Sequence, residues 1–487
     1  MKKLLIILVA LVLPFVIKAQ YEVEALRFSD LTFGGTARFM GSAGAFGALG
    51  ADISTLHTNP AGIGLYKSNE MTFSPTLFFG KTESTYNGYS MDDYKGNFNI
   101  GNIGFVSVFP AKNKQAEQGW KNFQFGFDLV RNNNFNYQIS SSGKNMESSL
   151  LDVWNNNANG KTVNNLDSYS TYLAYDTYLL NSDSLSGIPN NYTNAIPAGG
   201  VTQSQGLQSS GYMNEWVISF GGNYNDKLFL GASFAFPYLH YSESKTYQED
   251  ALSQNLAFEE FKTMHVYDNL DIKGHGFNFK FGIIYKPFSF VRMGLAYHSP
   301  TNFYHMSESY NTTVSSFFDN GDNFVSHSPQ GLFDYKLTTP QRFIGSLAFI
   351  IGTRGFISGE YEAVDYSQSN YRSSFPGDFV DANNTIHAIY RSTGNLRIGA
   401  EYKLDNISLR GGYALYGSPY ADKINDGART SYTFGLGFRS DSFFLDLATV
   451  LTYASEKYYF YQLENKINPV VNKTHNQTYV MTMGIRF

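Results

Sequence analysis

The chain has no cysteine. That excludes disulfide frameworks, thiolate zinc sites, cysteine nucleophiles and an acylated lipoprotein anchor. Charge is scarce too: 16% of residues are Asp, Glu, Lys or Arg, against about 25% in an ordinary globular protein. The formal net charge of -5 leaves no basic footprint for nucleic acid. After the first twenty residues no run of 18 apolar residues occurs, and mean hydropathy is -0.27, so a bundle of membrane helices is excluded. What is abundant is aromatic and small: 42 Phe, 36 Tyr and 45 Gly among 487 residues. This composition fits long strands with one apolar face better than the three or so soluble domains the length would otherwise allow.

Lys2 and Lys3 precede an apolar run from Leu4 to Ile17, followed by Lys18, Ala19 and Gln20. The run is shorter than the ~20 residues of a spanning helix. It reads as a signal peptide over 1–19, cleaved after Ala19, and predicts export.

The second half of the chain alternates with period two. Tyr479, Met481, Met483, Ile485 and Phe487 share one face, and Val480, Thr482, Gly484 and Arg486 share the other. Phe443, Leu445, Leu447, Leu451 and Tyr453 oppose Asp446 and Thr452; Tyr432, Phe434, Leu436 and Phe438 oppose Thr433, Gly435, Gly437 and Arg439. Connections alternate between short and long. Short ones are expected at Ser440–Ser442, Leu404–Asn406, Gly352–Arg354, Pro287–Phe288 and Asn225–Lys227. Long ones are expected at Gln462–Lys473, Ser418–Gly427, Ser367–Ser392, His305–Lys336, Glu243–Ile272 and Ser140–Gly211, with further turns near Ala111–Lys121 and Ser84–Lys95. Fourteen strands result, from about Glu70 to Phe487. Short periplasmic turns, long outer loops and an even strand count describe an all-β, closed antiparallel transmembrane barrel, and closure leaves no unpaired edge facing lipid. The expected location is the outer membrane of a Gram-negative bacterium.

Residues 20–68 do not alternate. They are dense in Gly and Ala from Phe33 to Gly50, and continue through Asp52 and Ser54 to Asn59-Pro60-Ala61-Gly62. Fourteen strands enclose a lumen too wide for wall side chains to fill, so this segment is expected to be a lumenal hatch, with 69–487 as the barrel and the largest loop at about 140–212.

The Gly-Ala-Phe-Gly-Ala run, Asp52–Ser54 and Asn59-Pro60-Ala61-Gly62 resemble the hatch of the FadL family of outer-membrane channels for long-chain fatty acids and other hydrophobic compounds. Thr339–Gly345, Glu360–Ser367, Leu396–Tyr402 and Arg410–Tyr413 are similar to it as well. The resemblance implies passive uptake of a hydrophobic small molecule, with hatch movement and lateral exit through the barrel wall into outer-membrane lipid. It also implies that Asn59, Pro60, Ala61 and Gly62 shape the hatch near that exit, with no cofactor and a monomeric barrel.

For the ligand itself the candidates are Phe39 and Phe46 in the hatch, and two loop stretches with helix-like apolar spacing. Met146–Trp154 offers Leu150 and Trp154; Ala251–Met264 offers Leu256, Phe258 and Phe261. Both stretches equally suit a cap that packs on itself. Parity points Arg292, Arg342, Arg397, Arg410, Arg439 and Arg486 into the lumen. They are expected to pair with Glu360, Glu362, Glu401, Asp446 and Asp128 as a solvated wall network, with Arg397 kept as a candidate for a ligand carboxylate. Nine histidines are scattered, and no metalloprotease or nucleophile-elbow spacing occurs, so no enzyme is expected. Two other functions suit the pattern: a docking or shuttle protein for secreted cargo, as some barrels of this family are in type IX secretion, and a haem receptor.

Overall fold

Each barrel strand carries apolar residues at every second position, so one face can meet lipid while the other meets the lumen. The computed structural model describes residues 21–111, 118–183, 187–196, 200–252, 261–422, 425–463 and 467–487. Residues 1–20, which include the expected signal peptide, lie outside these. Fourteen antiparallel strands close into one barrel. They are β1 (Glu70–Tyr86), β2 (Tyr89–Pro110), β3 (Trp120–Asn134, resuming as Tyr137–Asn145), β4 (Val201–Tyr224), β5 (Leu228–Ala251) and β6 (Phe261–Phe288). Next come β7 (Val291–His298, resuming as Asn302–Phe318), β8 (Asn323–His327, Gly331–Thr338 and Arg342–Ile351) and β9 (Gly355–Asp365, then Asn370–Arg372). The wall is completed by β10 (Ser392–Leu404), β11 (Ile407–Tyr416), β12 (Arg429–Arg439), β13 (Phe443–Tyr458) and β14 (Val470–Arg486). β14 pairs with β1 from Glu70↔Arg486 to Thr85↔Val471. Asn69 and Phe487 exchange both backbone hydrogen bonds, at 3.1 and 3.2 Å, and seal the seam.

The period-two reading of the faces holds. Tyr479, Met483, Ile485 and Phe487 are exposed on the outside, while Val480 and Thr482 are buried inside. Phe105, Phe109, Leu295, Phe343, Phe434 and Leu447 belong to the same outer belt. A closed barrel with an apolar belt and no long apolar helix among the described residues is an outer-membrane protein.

The strands differ from expectation in height. β6 runs 28 residues and β4 and β5 run 24 each, where about 9–11 cross a membrane. Most of Glu243–Ile272 and His305–Lys336, expected as loop, is therefore strand that rises above the belt. The outer face there meets water. The inner face mixes apolar residues such as Met264, Val266 and Val314 with polar ones such as Glu249, Glu308 and Ser316, so alternation fades from the sequence while neighbouring strands still complete the ladder. The same ladder carries β6 through Pro287–Phe288, and the turn falls at 289–290. Ser84–Lys95 is a two-residue hairpin, with Asn87 and Gly88 both at positive φ, as a primed turn requires. The helix expected over Ala251–Met264 is absent at its described ends: Ala251 ends β5, and Phe261 and Met264 begin β6. Leu256 and Phe258 lie outside the described residues.

Before the barrel come α1 (Tyr21–Ser29), α2 (Ala37–Gly41) and 3-10 turns at Ile53–His57 and Pro60–Leu65, all inside the lumen. On the outer side α3 (Leu150–Ala158) and α4 (Thr171–Asp176) pack over the tall strands. The Glu249 carboxylate accepts from the Leu150 N–H at 3.0 Å, from Ser149 and from Tyr247, which places an anion at the start of α3. A further helix, α5 (Val380–Ile389), lies in the connection between β9 and β10 and packs on α1.

Candidate functional site

The lower lumen is closed by close backbone approach. The Asn59 side chain donates to the Gly47 carbonyl at 2.6 Å and accepts from the Ala61 N–H at 3.2 Å, so one amide ties two hatch turns together. Pro60 opens the following 3-10 turn, where its missing N–H costs nothing. This corner presses on β5 and β6. A Cβ on Gly282 would lie 1.9 Å from the Asn59 Oδ1, and one on Gly231 2.2 Å from the Pro60 carbonyl. His57 packs on the Phe39 ring at 5.7 Å, and neither ring nitrogen has a partner among the described residues. Burial, helped by the Lys280 charge, pushes its pKa down to about 3.

Around the hatch the wall arginines are paired. Arg397 reaches Glu360 at 2.7 Å and Glu362 at 2.9 Å, and Arg342 pairs with Glu362. Arg410 spans Glu401 at 2.7 Å and Asp446 at 2.6 Å, joined by Arg38 of α2 and by Arg439. Glu360 also accepts the Gly47 N–H at 2.7 Å, and Arg292 donates to the Leu49 carbonyl. The expected pairing is therefore present for Arg342, Arg397, Arg410 and Arg439, but it is buried where a solvated network was expected, and it grips the hatch. Arg486 pairs instead with Glu70, and Arg292 with a carbonyl. Among the expected carboxylates Asp128 is the exception, because its partner is Asn102 and not an arginine.

Higher up, the wall itself is incomplete. The β2–β3 ladder runs only from Pro110↔Asn122 to Asn102↔Val130. Above that, Tyr89–Gly101 pairs with β1 alone and Tyr137–Asn145 with β4 alone. The break falls at Asn132-Asn133-Asn134-Phe135-Asn136, where the strand bulges between Arg131 and Asn133, the first two amides reach Glu215 and the hatch, and the last two bond locally. Asn134 Oδ1 accepts both the N–H and the side-chain amide of Asn136, at 3.2 and 2.6 Å. Across the gap, side chains replace the ladder: Asp93 accepts from Gln138 at 3.2 Å and from the Ser140 hydroxyl at 3.0 Å. Behind it stands the hatch. Thr32 donates to the Asn132 carbonyl at 2.6 Å, and Asn133 donates to the Asp30 carbonyl at 2.8 Å.

α1 fills the upper lumen beside this gap. Tyr21 lies 4.9 Å from Phe379 and 5.4 Å from Tyr371, and Phe28 lies 5.9 Å from Phe135, the residue at the break in β3. The hydroxyls of Tyr371 and Tyr390 donate to the Tyr21 and Glu22 carbonyls at 3.0 and 2.8 Å. Glu24 is buried with one carboxylate oxygen lacking a partner among the described residues. Burial and the nearby Glu308 carboxylate hold its pKa well above the usual carboxylate range. Below α1, a cavity of about 30 Å³ touches Phe28, Met213, Glu215, Lys280, His298 and Arg342, room for about one water.

The proposed site residues thus separate into groups. Asn59, Pro60, Ala61 and Gly62 meet β5, β6 and the hatch interior, while the hatch residues beside the gap are Asp30, Thr32 and Gly34. Phe39 and Phe46 are wholly buried in the hatch, 5.6 Å apart. Leu150, Trp154 and Phe261 belong to the outer cap cluster. Arg397 is buried between two glutamates. The gap and the ring-lined chamber around α1 were missed. A run of asparagines inside a strand was the available signal for the gap.

No protein-family model matches the chain, and no curated protein sequence matches it. Among solved structures it is similar to a Pseudomonas aeruginosa FadL homologue, at 13% identity and TM-score 0.58, over 94% of this chain and 99% of that one. It is also similar to the Pseudomonas putida toluene transporter TodX, at 14% identity and TM-score 0.55, over 93% and 99%. The Ralstonia pickettii toluene transporter TbuX matches at 16% identity and TM-score 0.53, over 93% and 99%. At these identities the likeness is one of fold, and the chain has the FadL-type fold.

Proposed function

We propose that this protein is an outer-membrane channel for passive uptake of hydrophobic small molecules, such as long-chain fatty acids or aromatic hydrocarbons. The observation that carries this reading is the gap between β2 and β3, backed by the hatch and opening beside the aromatic chamber around α1. An apolar solute gains about 0.8 kcal/mol per buried CH2. A route through an aromatic chamber and sideways into lipid is therefore downhill, where a wet pore is not. The solved structures of like fold include two described as toluene transporters, which supports the class of cargo. With the lumen filled as it is, passage requires α1 and the adjoining hatch residues to move while the ion-paired lower hatch stays in place.

The absence of native cysteine makes a direct test possible. Cysteines placed at Asn97 and Asn134, whose amides lie 3.5 Å apart across the gap, are bridged by a short reducible cross-linker. Cross-linking is expected to stop uptake of labelled toluene and fatty acid into liposomes, and reduction to restore it. Unchanged uptake in the cross-linked protein refutes lateral exit. The filled lumen and tall outer strands also suit docking of secreted cargo. That reading requires cargo to copurify with the barrel and uptake to be no faster than in empty liposomes.

A further inference from the structure

The chamber that α1 fills carries a charge preference. Arg27 projects from α1 with its guanidinium 4.2 Å from the Tyr241 ring centroid and 3.8 Å from Glu243. Tyr241 is itself fixed, donating to Glu243 and lying 3.1 Å from the Tyr137 hydroxyl. Glu308 adds a second wall carboxylate, buried beside the Tyr335 hydroxyl. Wall cations do not offset them. Lys245 is held by Asp268 at 3.0 Å, Lys280 by Glu215, Arg342 by Glu362, and Arg429 by Asp30 of the hatch at 2.7 Å. If α1 withdraws, Arg27 leaves with it, and the chamber keeps rings and carboxylates.

We propose that the Tyr241–Glu243 corner, with Glu308, is a binding site for organic cations with an aromatic or aliphatic body, and that Arg27 occupies it while α1 is docked. A ring face and an adjacent carboxylate attract an ammonium or guanidinium, and more strongly once water is excluded. The same groups repel a carboxylate head, so the chamber favours amines first, neutral hydrocarbons second and fatty-acid anions last. This rests on the uptake reading only in requiring α1 to leave the chamber, and it names the cargo class of that route.

Calorimetric binding to the purified full chain tests it with three probes of one ring: benzyltrimethylammonium, toluene and benzoate. The cation is expected to bind at least tenfold more tightly than benzoate. Glu243→Gln, which keeps the side-chain shape, is expected to erase that ratio while leaving toluene binding unchanged. Arg27→Ala is expected to raise affinity for the cation alone. Equal binding of the cation and benzoate, a ratio untouched by Glu243→Gln, or no binding of the cation overturns the site. Selective binding of the cation without toluene flux into liposomes keeps the site and overturns the uptake reading.

Discussion

From Thr36 to Tyr66 the hatch meets the wall through ion pairs, backbone carbonyls and glycine contacts; from Tyr21 to Ser29 it meets the wall mainly through rings. The first kind of contact is all-or-none, because a buried charge or a missing Cβ tolerates no slippage. The second kind is graded and non-directional, so a nine-residue helix can leave and return while giving up one long ion pair, Arg27 with Glu243. The difference divides one plug into a fixed seal and a movable stopper. The gap in the wall lies beside the movable part.

The sharpest way to break this contrast is at Arg410, which has no exposed side-chain surface and bridges Glu401 and Asp446. Arg410→Met leaves carboxylates under-paired in a dry wall, and the expected loss is about 3–5 kcal/mol. Arg27→Met in the upper lumen is expected to cost about 1 kcal/mol, since it gives up one long ion pair and one ring contact. Urea unfolding followed by heat-modifiable gel mobility measures both. Equal losses would erase the distinction between seal and stopper.

His57 gives the next effect. Its pKa falls from an ordinary 6.5 to about 3, so the folded hatch holds it neutral. Stability is fully present above pH 6.5 and is lost as pH falls toward 3, by about 1.4 kcal/mol for each unit in that window. Lys280, Glu215, His298 and Arg397 all act on the ring from the wall, and the pairing of Lys280 with Glu215 keeps their net field small. Comparing urea midpoints at pH 7 and pH 5 should show the loss, and His57→Leu should lessen it. An unchanged pH slope in His57→Leu would move the acid sensitivity elsewhere.

How much of this could be read from the residues depends on what fixes them. The faces of β10 to β14 were legible because lipid on one side and lumen on the other impose strict alternation, as in Tyr479 to Phe487. Arg342, Arg397 and Arg410 were legible as wall partners, because inward charges in a membrane barrel must find counter-charges. The rises of β5 and β6 beyond the belt were not, since Ser244 and Asn269 face water and polar neighbours whichever way the chain runs. Nor was the gap, because Asn132 to Asn136 break a ladder only in relation to Gly101 and Asp93, some thirty to forty residues earlier. α1 was least legible: Tyr21-Glu22-Val23-Glu24-Ala25-Leu26 gains its meaning only from Tyr335, Tyr371 and Phe379, which stand more than 300 positions away.

The smallest expected effect is also the one most specific to the stopper. Burial and Glu308 raise the Glu24 pKa well above 4.5, so docked α1 prefers the protonated acid. The free helix, with Glu24 in water, titrates near the ordinary value. Docking is therefore strongest below that value and weakens as pH climbs from there toward the shifted one, the opposite direction to His57. Glu308 on β7, Glu243 on β5, and Glu22 and Arg27 on α1 itself set the field; Arg27 is the cation among them, so the net push is toward the neutral acid. Hydrogen exchange of the α1 amides should quicken between pH 5 and pH 8 beyond the intrinsic rate, with the amides of the Pro60–Leu65 turn following the intrinsic rate alone. Glu24→Gln, which carries no charge at any pH, should remove the excess and hold α1 docked through the whole range. If the turn and α1 quicken together, the plug opens as one body and the boundary between seal and stopper does not exist.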